Sequence, residues 1–432
     1  MTSRTLSVVM YGRHVADLVQ TSGGAHSLSY TDQPGVTPVS LSMPLQQAHH
    51  RRRVVEPFLE GLLPDREDTR DAMGRELGVS GRNPFALLAH IGLDCAGAVQ
   101  FTDPALLEDV LNRRGALEPI EDKEIGSRLR ALRSNAAASW LASRERWSLA
   151  GAQAKFALRR RDDGRWCEAM GSEPTTHIIK PGVLGLEYQA LNEHVCLDAA
   201  RRLGLPAAES AYVEFDGEAA IVIARYDRRL TSTGLTRVHQ EDLCQASGVY
   251  PRHKYESDGG PSAPDVVALL RRHGRPSGQR RNVERFTRSL IFNYLIGAPD
   301  AHAKNYSVLL IGDDVRLAPL YDVASGLPYQ TTHQGGLRSA AMAIAGEREF
   351  GRVERKHWTG FAAQTRQDPE QVIDALRSLA ASLPDAMSDA LSDPLITRAA
   401  GELRPRLLDK VAHLCAVTIG ELDRSARHQN LA

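Results

Sequence analysis

The sequence carries no surplus of either charge: Lys+Arg is 53 and Asp+Glu is 53, so the formal net charge is zero. A globally basic surface that would draw the chain onto nucleic acid is excluded, and any DNA contact needs a local patch or a partner. Cysteine is scarce and scattered, with Cys95, Cys167, Cys196, Cys244 and Cys415 forming no C-x-x-C pair. That spacing argues against a zinc site or a disulfide framework and for reduced, buried thiols. No apolar run approaches bilayer length. The first, residues 6–11, is too short for a signal peptide and stops at Gly12-Arg13, so a cytoplasmic protein is expected. Repeats and low-complexity tracts are also missing. What is present is 432 residues, 42% hydrophobic and 25% charged, the profile of a globular chain of two or three domains.

Residues 6–11 and 14–19 flank Gly12-Arg13 and predict a hairpin, and the alternation over 39–43 predicts a half-buried strand. Helices are expected over 54–63, 68–77 and 84–91, giving a small α+β domain at 1–103. Residues 104–146, rich in charge with Leu and Ala at helical spacing, predict a helical connector. In 147–227 β character returns. Strands at 155–160 and 165–169 flank Asp163-Gly164, a further strand covers 176–180, and a helix at 187–203 is closed by Gly204 and Pro206. Two more strands meet across Asp216-Gly217. Residues 228–432 read as a helical lobe interrupted by one hairpin near 306–318. A β-rich lobe carrying one helix, followed by a larger helical lobe, predicts an α+β, two-lobed protein-kinase-like fold with nucleotide in its cleft.

The sharpest motif is Gly297-Ala-Pro-Asp-Ala-His-Ala-Lys-Asn305, which places D-x-x-x-x-N directly after an apolar helix. Kinase catalytic loops use this spacing, with the Asp orienting the attacking hydroxyl and the Asn giving an oxygen to Mg²⁺. Asp300 is the candidate catalytic carboxylate and Asn305 the candidate metal ligand. A hard cation needs a second oxygen donor, and Asp322, just past the 306–317 hairpin, is the natural one. Lys304 can balance charge on the transferred phosphate, and His302 can orient the loop through a hydrogen bond. Upstream, Lys180 ends a strand and can reach ATP phosphates, with Glu193 on the next helix as its ion-pair partner. Taken alone, those two read as a solvated strand end and an exposed helix carboxylate; Asp300 and Asp322 tip the balance to the ATP reading. The small-residue loop 148–155 offers the backbone N–H groups of Ala150, Gly151 and Ala152 to phosphates, although a tight surface turn has the same composition. Residues 223–228 end the β lobe; main chain at Ala224 and the ring of Tyr226 can face adenine. The runs His49-His50-Arg51-Arg52-Arg53 and Arg159-Arg160-Arg161 read as solvated charge, and Trp358 as helix core.

Blocks in order along nearly the whole chain resemble the HipA family of kinase toxins. They are 40–45, 61–65, 148–155, 175–180, 240–245, 254–261, 295–305 and Tyr321-Asp322-Val323. The resemblance implies that Asp300 is catalytic, that Asn305 and Asp322 hold Mg²⁺, and that Lys180 contacts ATP phosphate. It further implies that Gln240 lines the nucleotide cleft, that main chain from Ala224 to Tyr226 holds adenine, and that Ser148 is autophosphorylated, switching the kinase off. It implies a partner, a HipB-like helix-turn-helix antitoxin that brings operator DNA indirectly, and a target in translation such as glutamyl-tRNA synthetase. Two positions depart from the family pattern: Ala224 stands where an acidic residue is common, and Pro299 precedes the catalytic Asp and fixes φ there. Two other readings compete: a small-molecule phosphotransferase using the same loop, and a silent pseudokinase serving as a repressor partner.

Overall fold

The computed structural model describes residues 3–134, 147–232, 234–329 and 335–429. The chain forms two compact units, each assembled from three stretches. Unit 1 is Met1–Leu184, Val213–His253 and Ser307–Val315; unit 2 is Gly185–Tyr212, Lys254–Tyr306 and Arg316–Ala432. Positions 103, 146 and 227, where the sequence suggests boundaries, all lie inside unit 1.

Unit 1 begins with a five-stranded antiparallel sheet in the order His49–Arg51, His26–Tyr30, Arg13–Gln20, Arg4–Met10, Gln100–Thr102. Its first hairpin turns on Tyr11-Gly12 at φ 54° and 72°, one residue before the expected pair, so that Met10 faces Arg13. Positive φ at both central residues matches the right-handed twist of the strands. Three helices follow as expected: Arg52–Gly61, Glu67–Leu77 and Pro84–Ile91. The second ends in left-handed Gly78, and the third starts with Pro84 after Asn83, whose side chain accepts the Ala86 N–H. Phe58, Leu59, Phe85 and Leu88 from these helices share one core with Leu6, Val8, Leu18 and Leu28 of the sheet. Residues 39–43 do not form the expected strand; only a Ser40–Met43 bridge remains. The Ser40 hydroxyl and the Leu41 N–H turn instead to the buried Glu241 carboxyl, at 2.5 and 2.7 Å.

A second sheet has six strands in the order Ser210–Phe215, Glu218–Ala224, His177–Lys180, Phe156–Arg160, Trp166–Gly171, Gly115–Pro119. The last comes from the segment expected to be wholly helical. Its five residues, with Leu117 opposite Ala169, are too few to show a period among flanking helix formers. The helix Asp122–Ser134 follows, and the remainder of that connector, 135–146, lies outside the described residues. The region after Asp227 also holds more β structure than the one hairpin expected. It adds the pair Arg228–Thr231 and Gly234–Arg237, the strand His239–Asp242 beside Ser307–Ile311, and the pair Ser339–Ile344 and Glu347–Glu349. These runs of three to six residues carry little apolar alternation, so tertiary pairing decides their state.

Unit 2 packs the helices Gln189–Arg202, Ala263–Arg272, Pro276–Leu295, Arg355–Gln364, Pro369–Ala390 and Thr397–Gln429. Trp358 is fully buried among them, as its helical spacing suggested. All five cysteines are buried thiols, none of them in a disulfide, and among the described residues no helix is long and apolar enough to cross a membrane.

His239 shows how tightly unit 1 is sealed. It is fully buried, Nε2 lies 2.9 Å from the Val39 carbonyl, and Nδ1 accepts the Ala98 N–H at 3.3 Å. That arrangement fits only the neutral ring, and burial pushes its pKa down to about 4 against the Val39 bond. The folded state therefore binds this proton less tightly than the unfolded chain. Its stabilisation is complete above the ordinary histidine value near 6.5 and is lost as pH falls from there through 4, on the order of 3 kcal/mol in all. Denaturant titrations should show stability dropping across that window, with a shallower drop in His239→Gln.

Candidate active site

In unit 2 the helix Pro276–Leu295 stops in a Schellman arrangement. The Gly297 N–H returns to the Tyr294 carbonyl and the Ala298 N–H to that of Asn293, at 2.9 and 2.8 Å. Gly297 sits at φ 63°, and a Cβ there would lie 2.6 Å from the Leu327 side chain, so glycine is required. The chain then reaches Asp300, whose carboxylate stays 59% exposed while its carbonyl accepts both the His302 N–H, at 2.8 Å, and Asn305 Nδ2, at 2.7 Å. The loop therefore closes on the backbone of Asp300 and leaves its side chain outward.

The Asp300 carboxylate accepts the Tyr255 hydroxyl, and the Tyr255 ring stands edge-on to His302 with centroids 4.8 Å apart. His302 is buried, neither ring nitrogen has a hydrogen-bond partner among the described residues, and Nε2 lies 3.5 Å from Asp300 Oδ1. Burial pushes its pKa down to about 4, so the ring is neutral. The expected orienting hydrogen bond from His302 is thus corrected to packing: the ring backs Tyr255, and Tyr255 makes the bond to Asp300. In the sequence Tyr255 stands out only as part of the family-like block 254–261, because nothing in its spacing ties it to Asp300.

Asp322 adopts φ 56°, a left-handed conformation rare for a non-glycine residue. Two hydrogen bonds hold the flanking chain to the 297–305 loop: Tyr321 hydroxyl to the Lys304 carbonyl at 2.6 Å, and Gly326 N–H to the Gly297 carbonyl at 2.9 Å. Pro299 fits against Gly326, where a Cβ would come within 3.0 Å of its ring, so the unusual proline is matched to its neighbour. Lys304 is buried. Asn305 is also nearly buried, and with Nδ2 engaged by the loop it is the amide oxygen that can meet a cation. Among the described residues no three His, Cys, Asp or Glu side chains form a metal cage. One amide oxygen and one carboxylate suit Mg²⁺, which completes its shell with water and phosphate oxygens. Glu193 is fully buried on the helix Gln189–Arg202, not an exposed carboxylate, and its neighbour Asn192 clasps both the carbonyl and the N–H of Ser325 at 2.8 and 3.1 Å.

In unit 1 Lys180 ends the strand His177–Lys180 opposite Ile221 and is only 4% exposed, so it is not a solvated strand end. Ala224 lies opposite His177 on the neighbouring strand. Arg225 gives its N–H to Thr176 and its carbonyl to Arg228, which leaves Ala224 and Tyr226 as the main-chain candidates for adenine. The Tyr226 hydroxyl bonds the Gln240 amide oxygen, and Gln240 Nε2 reaches Asp227 at 3.3 Å. Gly151 is at φ 104°, with its carbonyl on the Asp65 N–H at 3.1 Å. Ser148 is fully buried, its hydroxyl donating to the Leu62 carbonyl at 2.7 Å and its N–H to the Asp94 carbonyl at 3.0 Å.

Beneath Tyr226 and Gln240 lies a buried ionic cluster with no sequence motif. Asp94 contacts Arg225, Arg228 and Arg237, and Asp227 contacts Arg225 and Arg228, at 2.7–3.2 Å. Thr175 and the Gly97 N–H supply further donors to the carboxylates. Burial alone would raise both acids, but the guanidinium charges outweigh it and hold Asp94 and Asp227 well below the usual carboxylate range. Removing one acid leaves guanidinium charge buried without compensation. Asp94→Ala should lose about 3–5 kcal/mol in denaturant unfolding.

Residues 147–387 match the HipA-like C-terminal domain and residues 6–102 the HipA N-terminal domain. The chain belongs to the HipA family. The candidate kinase Y4mE of Sinorhizobium fredii is 34% identical over 91% of this chain and 93% of its own length. The serine/threonine-protein kinase toxin HipA of Shewanella oneidensis is 28% identical, with 90% of each chain covered. The solved complex of Shewanella oneidensis HipA with HipB and its operator DNA contains a chain that superposes on this one with a TM-score of 0.81. Identity there is 25%, over 97% of this chain and 98% of that one. The fold is therefore the HipA fold, with its kinase-like two-lobed α+β architecture.

Proposed function

We propose that this HipA-family protein is an ATP- and Mg²⁺-dependent protein serine/threonine kinase acting as a toxin. The observation that carries the reading is the loop around Asp300: an exposed carboxylate on a backbone closed by Asn305, with Asp322 tethered beside the same loop. Asp300 accepts the proton of the attacking hydroxyl while Tyr255 fixes its carboxylate. Asn305 and Asp322 would hold Mg²⁺, which would supply positive charge to offset that of the phosphates. Lys304 balances charge at the transferred group. Lys180 and Glu193 serve the ATP phosphates, and the N–H groups of Ala150, Gly151 and Ala152 cradle them. Ala224, Tyr226 and Gln240 take the adenine side.

Regulation follows from Ser148. With its hydroxyl on a carbonyl oxygen in a sealed position, a phosphate there adds negative charge beside an acceptor and cannot be housed. Phosphorylation of Ser148 therefore requires the loop to leave, which removes the phosphate cradle. The similarity to the HipA chain solved with HipB and operator DNA supports a HipB-like helix-turn-helix antitoxin as partner. The substrate class is a component of translation, glutamyl-tRNA synthetase or a similar protein, whose phosphorylation arrests growth and promotes persistence.

Incubation with ATP and Mg²⁺ followed by mass spectrometry should place phosphate on Ser148 in the wild type and none in Asp300→Asn. Unmodified protein that binds ATP yet transfers nothing to itself or to cell extract would leave only the pseudokinase reading. Tyr255→Phe should lower turnover about ten-fold, the effect of one hydrogen bond to a charged group, with little change in ATP affinity. Ser148→Glu should weaken ATP binding in calorimetry, whereas Ser148→Ala should keep it.

A further inference from the structure

Unit 1 contains a cavity of about 1000 Å³ beside the hairpin of Arg228–Thr231 and Gly234–Arg237. Four guanidiniums line it, those of Arg113, Arg159, Arg229 and Arg237, against a single carboxylate, Glu173. None of the residues proposed above to bind ATP or Mg²⁺ takes part. Arg113 and Arg229 are exposed. Arg237 is enclosed but engaged, with Nε 3.0 Å from Asp94 Oδ1 and Nη2 3.1 Å from the Ser172 carbonyl.

Arg159 is different. It stands on the strand Phe156–Arg160 opposite Cys167, and its Nε and Nη1 are buried with no hydrogen-bond partner among the described residues. The sequence suggested a solvated edge for Arg159-Arg160-Arg161; for Arg159 the structure corrects this, because the sheet turns its guanidinium into the cavity wall. An arginine keeps its charge, and a buried charge is stable only when paired. Among the described residues no side chain supplies a partner for Arg159 Nε and Nη1, and an anion in the cavity would. The volume is far beyond a bare ion and lies at the upper end of small-molecule sites. Leu117, Leu235 and Ile311 add apolar wall.

We propose that this cavity binds a small organic oxyanion, a phosphate monoester or a carboxylate of modest size, with Arg159 holding the anionic group. The proposal stands independently of the kinase reading.

The test is thermal unfolding of the full chain titrated with pyrophosphate in one arm and citrate in the other, each with and without saturating AMP-PNP and Mg²⁺. At least one probe should raise the melting temperature, and the shift should persist with the nucleotide analogue present. Pyrophosphate alone acting points to a phosphate ligand, citrate alone to a carboxylate. Arg159→Met should weaken the effective probe about ten-fold or more without lowering the melting temperature of the free protein, since it removes an unpaired buried charge. Glu173→Gln should tighten binding by removing the one like charge. The proposal is overturned if neither probe shifts the wild type, if AMP-PNP abolishes the shift, or if Arg159→Met binds as the wild type does. Should Arg159→Met fail to fold, an unchanged affinity in Glu173→Gln overturns it instead.

Discussion

The buried contacts among Asp94, Asp227, Arg225, Arg228 and Arg237 are the constraint around which unit 1 is arranged. Charges this deep hold only if each is met by an opposite charge or a hydrogen bond, so every segment that contributes a member is fixed. Asp94 comes from the turn after the third helix, Arg225 and Asp227 from the end of the second sheet, and Arg237 from the following hairpin. The peptide carbonyl of Asp94 also takes the Ser148 N–H, and Asp227 takes Gln240. The loop that carries Ser148 and the strip that carries Tyr226 are thereby referred to one ionic centre. Gly97 completes the fit: it sits at φ 79°, and a Cβ there would lie 2.7 Å from the Gln240 backbone.

In unit 2 the same economy of parts is achieved with neutral groups. Asp300 remains outward because its carbonyl, not its carboxylate, organises the loop. His302 contributes a ring surface instead of a hydrogen bond. Asp322 stays in a left-handed conformation that costs about 1 kcal/mol for an L-residue because the bonds from Tyr321 and Gly326 determine its position from both sides. Backbone of this kind concentrates where side chains must point in a required direction.

Much of this was legible in the residues. D-x-x-x-x-N after an apolar helix and the downstream Asp322 mark the loop, and long periodic runs such as 54–63 and 84–91 give their helices. What was not legible depended on distance along the chain. The pairing of Tyr255 with Asp300 spans 45 positions, and the contact of Asp94 with Arg237 spans 143. Short strands such as Gly115–Pro119 or His239–Asp242 show no period because they are made by their neighbours. Residues 39–43 alternate like a strand, yet a buried carboxyl 200 residues away, on Glu241, takes the Leu41 N–H that a ladder would have used. For the same reason Arg159, written within a polar run, reads as solvated until the sheet encloses it.

The interleaved make-up of the units bears on when the loop around Asp300 can take its shape during synthesis. The helix Gln189–Arg202 and the helix Pro276–Leu295, which launches the 297–305 loop, both pack on Pro369–Ala390. A ribosome that has just translated Asp300 and Asn305 still has that supporting helix ahead of it. The nascent chain can therefore hold every residue of the motif and yet lack the frame that sets them in place. The frame that holds the loop is completed late in synthesis.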